Sequence, residues 1–142
     1  GDGRPLHPSA ARLIVNAKGI SGTVVVSDAI RALGLPDGTY RLGDLDVTVE
    51  DGKTWLAGGG FGGSITGINT GVHNLRQWTG LSLTEVIATA TVNPAKILGF
   101  AHKGRLQPGY DEDIALVDTN LKAQLTMVEG RVIWSDKRFV LN

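Results

Sequence analysis

The sequence predicts an α/β fold, interrupted by an antiparallel β insertion and closed by a small C-terminal β unit. Three observations point that way. Thr23-Val24-Val25-Val26 is an unbroken run of β-formers, the pattern of a strand covered on both faces in a parallel sheet or barrel. Helical periodicity precedes that run and returns further along the chain. Between the two, apolar and polar residues alternate, which suits antiparallel strands with one wet face.

The first element is a helix capped by Ser9, with Ala10, Leu13, Ile14 and Ala17 at i, i+3, i+4 and i+7 on its inward face and Gly19 as its stop. The buried strand at residues 23–26 follows and ends in Ser27-Asp28. Pro36-Asp37-Gly38 is a turn signal. Tyr40 and Leu42, then Leu45, Val47 and Val49, then Thr54-Trp55-Leu56 form a three-stranded meander over residues 39–57, with turns at Gly43-Asp44 and Asp51-Gly52. Asn69 caps a helix that turns Val72, Leu75 and Trp78 inward and closes at Gly80. Ser82-Leu83-Thr84-Glu85 has the spacing of a capping box and opens a helix carrying Val86, Ile87 and Ala90. Asn93-Pro94 caps and starts a short helix over residues 95–98, ended by Gly99. The tail holds strands at residues 113–118, 125–128 and 131–134, with a hairpin at Glu129-Gly130.

Composition excludes several function classes. The chain has 142 residues, enough for one ordinary core. A closed (β/α)₈ barrel needs about 250. Fourteen basic and 14 acidic residues are scattered to a net charge of zero, so no nucleic-acid or anionic-membrane footprint is expected. Without cysteine there is neither a disulfide nor a thiolate metal site. No apolar stretch approaches 18 residues, so no membrane span is expected, and Gly1-Asp2-Gly3-Arg4-Pro5 lacks a signal pattern. The expectation is a soluble, cytoplasmic chain whose start reads as mid-domain sequence.

Two features carry chemistry. Asp28 stands at the C-terminal tip of the apolar run, where barrels mount catalytic groups; the alternative is that its carboxylate caps the following turn. Residues 58–71 hold seven glycines, a run too irregular for a dinucleotide fingerprint and lacking the Gly-Lys-Ser/Thr ending of a P-loop. It reads either as a flexible loop or as backbone lying close against a ligand. His7, His73 and His102 are far apart, without the paired spacing of a metal site.

Several strings occur together in order: Val26-Ser27-Asp28-Ala29, Gly34-Leu35-Pro36-Asp37-Gly38-Thr39-Tyr40, Gly63-Ser64, Asn74-Leu75, Gly80 to Glu85, Asn93-Pro94-Ala95, Leu98-Gly99, and Gly104 to Gly109 with Asp113-Ile114. In this arrangement the chain resembles the C-terminal part of the amidohydrolase superfamily, and within it the family that deacetylates N-acetylglucosamine 6-phosphate. The resemblance implies a C-terminal fragment of a TIM barrel of the metal-dependent hydrolase class. Residues 1–103 would supply its last strand and helices, and residues 104–142 the C-terminal β segment of a small composite domain.

It further implies that Asp28 is the general base and acid of a metal-assisted amide hydrolysis. There a divalent cation of the zinc or iron class lowers the pKa of a bound water from about 15.7 towards 7, and the aspartate takes its proton and passes it to the leaving amine. The family's metal ligands, a glutamate and two histidines, are expected upstream of Gly1, so this chain alone is expected to bind no metal and to be inactive. Gly62, Gly63 and Ser64 match the family loop that packs against the sugar. Where the family has its first substrate-contacting histidine this chain has Pro5, and His7 matches the second; either His7 substitutes or that contact is lost. Glu112 replaces a family alanine.

The partners implied are a phosphorylated amino sugar and either a second copy or the missing N-terminal part, because an unpaired strand edge at residues 23–26 is adhesive. Two further readings stand beside this one. One is a non-catalytic binding module that oligomerises through that edge. The other is a different amidohydrolase, dihydroorotase- or urease-like, against which the Leu35-Pro36-Asp37-Gly38 to Tyr40 loop argues.

Overall fold

The structure, a computed structural model, describes residues 6–136. Pro5 lies outside them, as do Gly1 to Arg4 and residues 137–142. The described residues form four α-helices, a short 3-10 turn at Ile20–Gly22 and two separate three-stranded antiparallel sheets.

Helix α1 (Pro8–Lys18) begins one residue before the expected cap. The His7 ring accepts the Ser9 amide at 3.2 Å through Nδ1, while Pro8 occupies the first helical position, where its missing N–H costs nothing. Its buried stripe is Ala11 and Val15, not the face expected from residues 10, 13, 14 and 17. Leu13 is 69% exposed. Spacing identifies an apolar face, but it does not say which of two apolar faces meets the rest of the molecule. Helices α2 (Ile68–Thr79) and α3 (Leu83–Ala88) bury Val72, Leu75 and Val86 against α1, and Leu121 from the C-terminal unit completes this first core.

Gly80 ends α2 in the left-handed conformation at φ 72°, its N–H returning to the Arg76 carbonyl. The capping box of α3 is formed in full. Ser82 Oγ accepts the Glu85 amide, and Glu85 Oε2 accepts the Ser82 amide at 2.9 Å. Ser82→Ala is expected to lower stability by about 1 kcal/mol in urea titration; an unchanged midpoint would show that packing of Val86 alone holds this helix.

Strands β1 (Gly38–Leu42), β2 (Leu45–Glu50) and β3 (Lys53–Leu56) form the meander, in register Tyr40 to Val47 and Val49 to Thr54. Its inward face puts Val47 and Val49, both nearly inaccessible, against Ile30 and Ala32, a second core distinct from the first. Strands β4 (Ile114–Val117), β5 (Ala123–Val128) and β6 (Arg131–Ser135) form the second sheet.

Further expectations are corrected. Residues 23–26 form no strand ladder, and Val26 is 66% exposed instead of buried. Among the described residues no strand lies alongside to pair with them, so the parallel relation survives only as a single bridge from Ala29 to Ser64. Asn93 does not cap the fourth helix either. Helix α4 (Val92–Ile97) starts after Thr91, and the Asn93 amide points away to donate to the Ile20 and Thr23 carbonyls, each at 2.8 Å.

Behind α4, Lys103 lies between Asp111 (2.8 Å) and Asp113 (2.5 Å), and Asp113 also accepts the Glu129 amide. The Lys103 ammonium first, then the Glu129 N–H, hold the Asp113 carboxyl below the usual carboxylate range, while Asp111 and then Asp113 push Lys103 up. A depressed carboxyl contributes stability that is complete above the unfolded carboxylate pKa, about 3.9, and is lost as pH falls through the folded value. The raised lysine contributes below about 10.4 and loses its share only in stronger alkali. The pairs are solvent-exposed and therefore weak. Thermal midpoints of the chain and its Asp113→Asn variant are expected to differ at neutral pH and to converge as the pH falls below about 4; a gap independent of pH would contradict the assignment.

Candidate active site

The segment leading to Asp28 is fixed at both ends. At its start the Asn93 amide holds the Ile20 and Thr23 carbonyls, and the Val25 amide donates to the Thr89 carbonyl at 3.1 Å. At its end Ser64 N–H donates to the Asp28 carbonyl at 2.7 Å, and Ile30 N–H donates to the Ser64 carbonyl at 2.9 Å. Val25 packs against the first core and Ile30 belongs to the second, so Asp28 sits at the junction of the two.

Asp28 has φ +53°. That region costs an L-residue roughly 1–2 kcal/mol, and aspartate tolerates it better than most. Such strain persists where the surroundings impose it, and it clusters at functional sites. The conformation leaves the side chain exposed along a cleft of about 240 Å³ whose walls include Leu6, Ile14, Val24, Val26 and Phe61. The carboxylate does not cap the following turn. Ala29 N–H goes to Ser27 Oγ at 3.3 Å and Ile30 N–H to Ser64, and no side-chain hydrogen bond or ion pair from the described residues reaches the Asp28 carboxyl.

Of the glycine run, Gly62 to Ser64 are drawn to this junction. A Cβ on Gly63, at φ +89°, would lie 2.6 Å from Ile30 Cγ2 and 3.2 Å from the Asp28 carbonyl oxygen. A Cβ on Gly62 would lie 2.6 Å from Val47 Cγ1, under the meander. Close approach of the loop backbone to Val47, Ile30 and the Asp28 carbonyl is therefore what these two glycines provide. Ser64 is buried, its hydroxyl 2.8 Å from Thr66 Oγ1 and accepting the Thr66 amide.

His7 stands apart, capping α1 and absent from the cleft wall. His73 is half-buried on α2, and His102 is exposed, its Nδ1 3.0 Å from the Gly109 carbonyl and its ring edge-on to Tyr110. No group of three or more His, Cys, Asp or Glu side chains among the described residues could hold a metal ion, so these residues by themselves do not fit a divalent cation. None of the described helices is long and apolar enough to cross a membrane.

Sequence reasoning gave Thr54 no role beyond its strand and read Asn93 as a helix cap. Thr54 stands opposite Val49 on the inward face of β3, and its hydroxyl donates to the Gly63 carbonyl. A polar residue in an inward register position, once the Asp51-Gly52 turn is placed, was the available signal.

Comparison with known proteins places this geometry in a family. The chain is 36% identical over 137 residues to the N-acetylglucosamine-6-phosphate deacetylase of Bacillus subtilis, covering 96% of this chain and 35% of that protein. The protein of the same name from Homo sapiens is 36% identical over 135 residues, covering 94% and 33%. The chain thus spans about a third of the length of these curated relatives.

A crystal structure of the Thermotoga maritima deacetylase of that name superposes with a TM-score of 0.87 at 37% identity, covering 95% of this chain and 37% of that one. An aspartate-to-alanine mutant of the Mycobacterium smegmatis enzyme, in complex with N-acetyl-D-glucosamine-6-phosphate, superposes with a TM-score of 0.86 at 30% identity, covering 92% and 35%. The sequence profile of the amidohydrolase family matches residues 10–133, and the chain belongs to that family.

Proposed function

We propose that this chain is the part of a TIM-barrel amidohydrolase that bears its proton-carrying carboxylate, in an enzyme converting N-acetylglucosamine 6-phosphate to glucosamine 6-phosphate and acetate. The observation that carries the reading is Asp28, held left-handed by Ser64 with its carboxyl exposed on the cleft. The deacetylases it resembles, one of them captured with the phosphorylated sugar, supply the substrate class.

In this reading Asp28 accepts a proton from the water that attacks the amide carbon. It then returns that proton to the nitrogen as the C–N bond breaks, so that a neutral amine departs instead of an amide anion. The backbone of Gly62, Gly63 and Ser64 lines the sugar, and the family's histidine contact is lost, because Pro5 replaces the first histidine and His7 caps α1 away from the cleft wall. The Lewis-acid chemistry usual in the family would draw its divalent ion from ligands outside residues 6–136. A phosphorylated sugar carries too much charge to cross a bilayer, which favours a cytoplasmic enzyme.

The 240 Å³ cleft is smaller than the roughly 300–1,000 Å³ of ordinary ligand pockets, as one wall of a shared cavity would be. On β6, Ile133 at a bulge and Trp134 beside it are both about half or more exposed, apolar surface suited to being covered from elsewhere. This supports association with a complementary segment, or failing that with a second copy.

The test is acetate release from N-acetylglucosamine 6-phosphate by the chain alone and by the chain co-expressed with the part of the Bacillus subtilis enzyme that its match leaves uncovered. Light scattering should report a complex, active only when both parts are present. An assembled but inactive complex would sink the catalytic reading and leave the binding module; a stable lone monomer at all concentrations would count against association.

A further inference from the structure

We propose that Thr54 is a positioning residue for Asp28, so that the antiparallel insertion aims the carboxylate that the barrel segment carries. The inference rests on the reading of Asp28 as proton carrier, and it assigns the meander a part in that role.

The linkage runs through four residues. Thr54, 5% exposed on the inward face of β3, donates its hydroxyl to the Gly63 carbonyl. That carbonyl belongs to the peptide unit whose N–H, on Ser64, holds the Asp28 carbonyl at 2.7 Å. One peptide plane is thus gripped from both sides, by the insertion through its oxygen and by Asp28 through its nitrogen. Because the plane is rigid, rotation at one end must displace the other. The Ser64 carbonyl then takes the Ile30 amide, which closes the bridge around Asp28.

The approach is tight as well as hydrogen-bonded. Absence of a Cβ at Gly62 lets the loop lie on Val47 and on the Trp55 backbone, and absence of one at Gly63 lets it lie on Ile30 and the Asp28 carbonyl. A second tie, the bridge between Trp55 and Phe61, joins the same strand to a residue of the cleft wall.

Packing does not account for threonine here. Its neighbours on the inward face are Val47 and Val49, and valine has the same shape. What valine lacks is the donor for the Gly63 carbonyl. A left-handed Asp28 is intrinsically disfavoured, so it depends on such external bonds more than an extended residue would.

The experiment compares the isotope-labelled chain with Thr54→Val and Thr54→Ser by nuclear magnetic resonance. It reads the φ-dependent amide-to-Hα coupling of Asp28 and the exchange rate of the Ser64 amide. Thr54→Val is expected to speed Ser64 exchange about tenfold, as loss of one buried hydrogen bond in the linkage would, and to move the Asp28 coupling away from its left-handed value. Amides of Val72, Leu75 and Val86, in the other core, should keep their protection. Thr54→Ser, which keeps the hydroxyl, should keep both wild-type readings.

Unchanged Asp28 and Ser64 signals in Thr54→Val would overturn the proposal, as would a loss of protection spread equally over Val72, Leu75 and Val86. Should Thr54→Val not fold, Thr54→Ser decides: wild-type readings support the linkage, and a folded variant with Asp28 displaced refutes it. None of these readings depends on acetate release, so failure of the deacetylase reading and failure of this linkage are told apart.

Discussion

Replacing Asp28 with asparagine is expected to slow acetate release by the assembled enzyme about 10²–10⁴-fold, the range supplied by a positioned general acid–base group. Asparagine keeps the size of the side chain and tolerates a positive φ, so the backbone at +53° need not move. It cannot take a proton from water or return one to the amine. The loss should therefore appear in kcat with KM little changed, and the thermal midpoint should stay where it was, since no described residue bonds to this carboxyl. Assay of both parameters checks it; a variant retaining more than about a tenth of the rate would remove Asp28 from the chemistry.

The largest effect on stability is expected at Gly63. Its φ of +89° is strained for any L-residue, and a Cβ there meets Ile30 Cγ2 at 2.6 Å and the Asp28 carbonyl at 3.2 Å. Ile30 is a buried, branched side chain packed against Val47 and Val49, so it cannot swing aside cheaply. Conformational strain and overpacking together are expected to cost about 3 kcal/mol or more. Urea titration of Gly63→Ala measures it. Gly62→Ala, which meets only Val47 closely and has no left-handed φ, should cost less, about 1–2 kcal/mol. Equal costs at the two positions would mean that the close approach to Asp28 is not what Gly63 provides.

Local devices were legible in the sequence because their partners are a few residues apart. The Ser82 to Glu85 box, the Gly80 stop and the turns at Asp51-Gly52 and Glu129-Gly130 each satisfy backbone groups within one turn of chain. The resemblance to amidohydrolases, drawn from short ordered strings, is confirmed by the family match.

What escaped was set by groups far apart in sequence. Asn93 reads as a cap, yet two carbonyls 70 and 73 residues away claimed its amide. Asn69 likewise reads as a cap for α2, and its side chain instead donates to the Leu121 carbonyl, fastening the C-terminal unit to the helices. Apolar spacing in α1 marked Leu13 and Ile14 as inward, whereas Ala11 and Val15 are the residues that meet α2. Residues 23–26 have the composition of a strand, but a ladder needs a neighbour, and composition cannot supply one. At the candidate site Asp28 and the glycines were visible as types in a pattern. The peptide plane shared by Thr54 and Asp28 is a tertiary fact.

The most direct measurement is chemical rescue. Asp28→Gly removes the carboxyl while keeping a left-handed backbone at no steric cost, and it opens room on an already exposed cleft. Formate added to the assembled Asp28→Gly enzyme is expected to restore acetate release in proportion to its concentration, standing in for the missing proton carrier. A folded, substrate-binding Asp28→Gly complex that formate leaves as inactive as before, or one that needs no rescue at all, would contradict the role given to this carboxyl.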